Sequence, residues 1–269
     1  MKYKIGSCKN CRAENVRLVQ SHIIPEFLCR DGRDLKDKRY EADYASNKWR
    51  VIQSGIKERF LCDLCEKKFG EVDRYASKVF KLSGPNDPQI KIEPMGENPD
   101  INTKLERWTG IDFKKCQRFV FSVLQRMSLS GLDKPEPLLY SDELTKMLDI
   151  YRDEKGLDDS TYPILISRLT AGTNFQTGAV APVRLTAEGD NALKMNLLCL
   201  ASVHFRGGGY LFQAVIKVIR ASMDYRLAIE HFKLRSNGQI VIADQPFTNT
   251  LLFQVSVAMS RGLQGPNQR

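Results

Sequence analysis

At 269 residues the chain has room for two modest domains, or for one domain carrying a small appended module, and its 42% hydrophobic content can build ordinary cores. No apolar run reaches the roughly 18 residues of a membrane span, and Met1-Lys2-Tyr3-Lys4-Ile5-Gly6-Ser7-Cys8 lacks the apolar core of a signal peptide. The expectation is a cytoplasmic protein with no membrane partner, in a reducing compartment where seven cysteines favour metal ligation over disulfides.

The first 82 residues read as a metal module. Two Cys-x-x-Cys knuckles, Cys8/Cys11 and Cys62/Cys65, supply four thiolates, a set that fits one structural, tetrahedral Zn²⁺. The alternative is four buried thiols without metal, which two knuckles in one chain disfavour. Between the knuckles lies Ser21-His22-Ile23-Ile24-Pro25, and the second knuckle runs into Glu66-Lys67-Lys68-Phe69, which reads as a helix start. Residues 1–82 hold 19 Lys+Arg against 12 Asp+Glu, whereas residues 83–269 hold 22 against 20. Basic charge concentrated on a small module favours a nucleic-acid partner; a solvated basic face is the alternative.

Pro85, Pro88, Pro94 and Pro99, with Gly84 and Gly96, punctuate the next stretch. Residues 83–104 are therefore expected as a linker with a short strand at Gln89–Ile92. From Ile111, Phe113, Cys116, Phe119, Val120, Val123, Leu124 and Met127 recur at three- and four-residue steps, the pattern of a helix burying one stripe. Asp112 suits its N-cap and Gly131 its stop. A second helix is expected over Asp142–Glu154. Beyond Thr161 the runs Tyr162–Leu169, Ala179–Leu185, Leu193–Phe205, Gly209–Ile219, Gln239–Ala243 and Thr250–Val257 read as strands, with Arg206-Gly207-Gly208-Gly209 as a hairpin turn. Glu230–Leu234 fits either helix or strand. Cys29, Cys116 and Cys199 read as core residues. The fold class expected is α+β: a zinc-stapled module over 1–82, the linker, and a domain over 105–269 with two helices and a mainly antiparallel sheet.

Taken with the knuckles, Ser21-His22-Ile23-Ile24-Pro25 and Leu61-Cys62-Asp63-Leu64-Cys65-Glu66 resemble the HNH (ββα-metal, treble-clef) endonuclease family. The resemblance covers about the first 80 residues. It implies that His22 is the general base, taking a proton from the water that attacks phosphorus; a histidine with an ordinary pKa of about 6.5 suits that work. It places Glu66 where the family often carries a metal-binding His or Asn, and a carboxylate there favours a hard catalytic ion, Mg²⁺ or Mn²⁺. Asp73, seven residues on, falls on roughly the same helical face and is a candidate second ligand. Glu58 is a candidate ligand, or the residue that orients His22. The bland readings are a satisfied core histidine for His22 and a solvated acidic face or local ion pairs for Glu66 and Asp73. The chain departs from the family pattern at Ser21, where many members carry Asp or His, and at the signature's middle Asn, for which Asn47 is the nearest asparagine. Lys57, Arg59, Lys67 and Lys68 are the nearest candidates for phosphate contacts.

The function expected is a metal-dependent endonuclease acting on nucleic acid, DNA foremost, in the manner of an effector of bacterial or phage conflict and antiviral defence. Two alternatives stand beside it. One is a non-catalytic zinc module that binds nucleic acid. The other is a sensor or scaffold centred on residues 105–269, through which the chain would oligomerise or meet a partner protein.

Overall fold

The computed structural model describes residues 4–30, 39–43, 48–52, 57–81, 84–98, 103–131, 158–170, 178–189, 193–204, 208–221 and 223–246. The expected helix at 142–154, the strand at 250–257 and Asn47 lie outside them.

Near the N-terminus, β1 (Lys4–Gly6), β2 (Val16–His22) and β5 (Lys57–Cys62) form an antiparallel sheet of order β1-β2-β5. A short helix α1 (Phe27–Arg30) and a hairpin of β3 (Arg39–Asp43) and β4 (Lys48–Ile52) lie between β2 and β5 in sequence. Helix α2 (Asp63–Val79) follows β5 directly. It buries Cys65, Phe69, Val72, Ala76 and Val79, whose three- and four-residue spacing draws one apolar stripe along it. Lys67, Lys68, Arg74 and Lys78 lie on its exposed side.

The larger sheet has the order β6-β7-β12-β8-β11-β10-β9. Its strands are β6 (Lys91–Asn98), β7 (Thr103–Thr109), β8 (Ile164–Thr170), β9 (Gly178–Gly189), β10 (Leu193–His204), β11 (Gly208–Ala221) and β12 (Ile240–Pro246). Neighbours are antiparallel except β12 and β8, which run parallel. The chain is therefore α+β, and four of the expected strand runs coincide with β8 to β11, with a fifth at β12. Glu230 falls in helix α4 (Met223–Phe232), and Lys233 then bridges to Leu165.

Residues expected as a linker are built into this sheet. Strand β6 tolerates Pro94 because it is an edge strand, where a missing N–H costs no ladder bond on the open side. The register shifts between Pro94 and Gly96, and Gly96 takes φ 134°, so a bulge absorbs the glycine. Punctuation that breaks a central strand is compatible with an edge.

Helix α3 (Phe113–Leu129) starts at Asp112, whose carboxylate accepts the Lys115 N–H at 3.0 Å. Every residue from Phe119 to Met127 is buried. A helix buried on all sides must be packed on all sides. α3 meets α2, with Tyr75 Oη accepting the Asp112 N–H at 2.6 Å, and meets the sheet, with the Phe119 and Phe212 ring centroids 5.4 Å apart. One core runs through Ile24 and Leu28, the C-terminal half of α2, Phe113 to Leu124 of α3, and Ile164, Phe212 and Ile242 of the sheet. The N-terminal elements thus share their main core with the sheet. A smaller cluster of Cys8, Leu18, Ile23, Phe60, Leu61, Cys62, Cys65 and Phe69 is closed by Met127 of α3.

Candidate metal centre and hydrolytic site

The two knuckles meet because β5 carries the second one to the first. Lys9 N–H donates to the Phe60 carbonyl at 2.9 Å, pinning the first knuckle against β5, and Arg12 N–H closes it on the Cys8 carbonyl at 2.8 Å. Arg12 and Asn15 take φ of 62° and 53°, so the chain reverses tightly out of the knuckle. The ligand atoms of Cys8, Cys11, Cys62 and Cys65 all lie within 4.8 Å of one another, with Cys11 Sγ 3.7 Å from Cys62 Sγ. Four sulfurs at 2.3 Å from a tetrahedral ion would be about 3.8 Å apart. The cluster fits a metal such as zinc.

Hydrogen-bond donors point at two of the sulfurs. Cys62 N–H points at Cys8 Sγ at 3.3 Å, and Asn10 Nδ2 donates to Cys65 Sγ at 3.3 Å. Burial raises the Cys8 pKa, but backbone N–H groups of Cys11, Cys62 and Asn10 outweigh it and bring the thiol down to about 7. Cys65, buried and crowded by Cys62 and Cys11, is pushed up to about 12 despite Asn10. Such a set ionises fully only around a cation. Asn10 Oδ1 in turn accepts from Gln125 Nε2 of α3.

Next to this cluster, β2 ends at His22, in register with Lys57, and Ser21 stands opposite Glu58. The Ser21 side chain is wholly buried. Glu66 lies in the first turn of α2, half-buried, where the helix N-terminus favours a carboxylate. Burial is nevertheless the largest influence on it and pushes its carboxyl above the ordinary range. The Ser21 hydroxyl and Arg126 oppose that rise; Asp73 reinforces it. Ser21 is close enough to favour the charged form, yet Ser21 Oγ and Glu66 Oε2 are both buried without a completed hydrogen bond among the described residues. A buried carboxylate oxygen lacking a donor is costly, and a bound cation would satisfy it.

His22 is partly buried, and its Nε2 lies 3.9 Å from Glu26 Oε2. Asp73 is committed elsewhere: its two oxygens accept from Arg126 Nη1 at 2.8 Å and Nη2 at 2.7 Å. Glu58 Oε2 accepts the Gly131 N–H at 2.6 Å just beyond the end of α3, and its Oε1 lies 3.6 Å from Lys9 Nζ. Among the candidate carboxylates, the structure thus brings Glu66 to the Ser21-His22 strand end with an open oxygen, while Asp73 and Glu58 tie α2 and β5 to α3.

Sequence reasoning missed Glu26, Asn10, Gln125 and Arg126. Glu26 sits four residues after His22, within reach of the motif. Gln117, Ser122, Gln125 and Arg126 are polar residues buried among the apolar ones of α3, a signal that the apolar stripe concealed.

Comparison with protein-family models, with curated protein sequences and with solved structures gives no match for this chain. No helix among the described residues is long and apolar enough to cross a membrane.

Proposed function

We propose that the chain is a metal-dependent endonuclease of the HNH (ββα-metal, treble-clef) type, hydrolysing phosphodiester bonds in nucleic acid, DNA foremost. One observation carries the reading: in the first turn of α2, one residue after the cluster cysteine Cys65, Glu66 holds a buried carboxylate oxygen with no donor among the described residues, close to Ser21, the residue before His22. The antiparallel pair β2 and β5, with α2 following β5 directly, supports it. In this reading Cys8, Cys11, Cys62 and Cys65 hold a structural zinc. Glu66, with Ser21 beside it, would hold Mg²⁺ or Mn²⁺, which when bound supplies positive charge for the phosphate and the leaving oxygen. His22 takes the proton from the attacking water. Glu26 Oε2 lies 3.9 Å from His22 Nε2. Lys67, Lys68 and Arg74 lie on the exposed side of the same helix that carries Glu66, suited to phosphate contacts.

A second reading, a non-catalytic zinc module that binds nucleic acid, is favoured by the engagement of Asp73 with Arg126 and of Glu58 with Gly131. The experiment that separates them is plasmid cleavage with Mg²⁺ or Mn²⁺ by zinc-loaded protein, compared with His22→Ala. Divalent-dependent cleavage lost in the variant supports the nuclease; nucleic-acid binding without cleavage supports the alternative.

A further inference from the structure

Arg126 is a charged residue inside the protein, only 1% exposed, and it lies well outside the stretch that resembles a nuclease. Its guanidinium carries five N–H donors, and five hydrogen bonds leave it. Nε donates to the Ser122 carbonyl at 3.3 Å. Nη1 donates to the His22 carbonyl at 3.2 Å and to Asp73 Oδ2 at 2.8 Å. Nη2 donates to Asp73 Oδ1 at 2.7 Å and to Ser122 Oγ at 3.2 Å. The guanidinium also lies over the Phe69 ring, 5.3 Å from its centroid. A planar fork with every donor engaged has one orientation, and the groups it binds share it.

Two of those groups belong to the site. The His22 carbonyl marks the last residue of β2 paired to β5, where the chain leaves the sheet for the buried Ile23-Ile24-Pro25 turn. At that point Arg126 adds a restraint on the backbone from α3. Asp73 stands one turn-pair along α2 from Glu66. Its charge is already matched by the guanidinium, to which both of its oxygens are bonded. Glu66 Oε2 has no hydrogen-bond partner among the described residues.

We infer that Arg126 and Asp73 form a positioning pair that fixes the strand end bearing His22, and that Glu66, rather than Asp73, is the carboxylate that receives the divalent ion. This inference rests on the nuclease reading for its kinetic consequences, but its ion assignment can be tested without turnover. It makes α3 part of the site: the neighbouring residue Gln125 reaches Asn10 and through it Cys65, so consecutive residues of one buried helix brace the metal cluster and the histidine.

The test uses full-length, zinc-loaded protein with Asp73→Asn, Arg126→Lys and Glu66→Gln, checked for zinc content and thermal unfolding. Plasmid cleavage is measured against Mn²⁺ concentration, and Mn²⁺ binding is followed by electron paramagnetic resonance without substrate. Asp73→Asn keeps the side chain's shape, so it remains decisive should Arg126→Lys fail to fold. Expected for Asp73→Asn is a fall in the saturated rate of about 10-fold to 100-fold, the scale of a misplaced catalytic group, with half-saturating Mn²⁺ within about twofold of wild type. Glu66→Gln is expected to raise half-saturating Mn²⁺ by about tenfold or more, as loss of a charged ligand should. A rise in half-saturating Mn²⁺ for Asp73→Asn equal to that of Glu66→Gln would overturn the inference, and so would unchanged rates in Asp73→Asn. Should wild type not cleave, the nuclease reading fails and the resonance titration decides the ion assignment by itself. Binding lost in Glu66→Gln and kept in Asp73→Asn sustains it; the reverse, or no Mn²⁺ binding by wild type, overturns it.

Discussion

Asn10 donates its side-chain amide to the Cys65 sulfur at 3.3 Å, so a residue of the first knuckle steadies a ligand of the second. Gln125 steadies Asn10 from α3. The four-cysteine cluster is thereby braced by residues outside it, and by a helix more than a hundred positions from Cys8.

The first expectation concerns that bracing. Purified protein should contain one zinc per chain, and Asn10→Ala or Gln125→Ala should weaken zinc affinity by about 10-fold to 100-fold, the usual cost of losing a group that orients a ligand. Competition with a chromogenic chelator measures it. Cys62→Ser should lose the ion and lower the unfolding temperature sharply, because metal binding and folding are coupled in such clusters.

The second expectation follows from the shared core. Phe80, at the C-cap of α2, packs edge-on against Phe212 at 4.9 Å and Tyr210 at 5.4 Å. Phe80→Ala should cost about 3–5 kcal/mol, the range for deleting a buried aromatic ring. Because α2 and the sheet contribute to one core, fluorescence and circular dichroism should report one coincident denaturant transition, shifted as a whole in the variant. Two separated transitions would show that the N-terminal elements fold independently.

How much of this was legible in the sequence depended on the range of the signal. Strands β8 to β12 and α3 could be read because Val, Ile, Leu and Phe recur locally at strand or helix spacing. The four cysteines could be paired because Cys-x-x-Cys is a local turn that needs a common ion. Of the edge strand β6, only Lys91 and Ile92 fall within the strand expected at Gln89–Ile92; the rest could not be read, because Pro94 and Gly96 look the same in a loop and in a bulged edge, and only the partner β7 distinguishes them. Asp73 stood on the right helical face for a ligand, but its partner Arg126 lies 53 positions away. No spacing rule links such a pair. Glu58 was similarly drawn off by Gly131, 73 positions on.

The third expectation concerns the exposed cations of α2. If they contact phosphates, nucleic-acid binding should weaken steeply with salt, and replacing Lys67 and Arg74 together by alanine should flatten the log–log salt slope by up to about 2, near 0.9 for each lost contact to duplex DNA. Fluorescence anisotropy at several salt concentrations provides the slope. An unchanged slope would place the nucleic-acid surface elsewhere.

The central claim is that His22 is the general base of a hydrolytic site, and cleavage of plasmid DNA by His22→Ala in Mg²⁺ or Mn²⁺ tests it most directly. Zinc content and unfolding temperature should match wild type, since the four cysteines hold their ion without this side chain. The rate should fall by about 10²–10⁴-fold, the usual contribution of acid–base catalysis. Full cleavage activity in a folded, zinc-loaded His22→Ala protein would contradict the account.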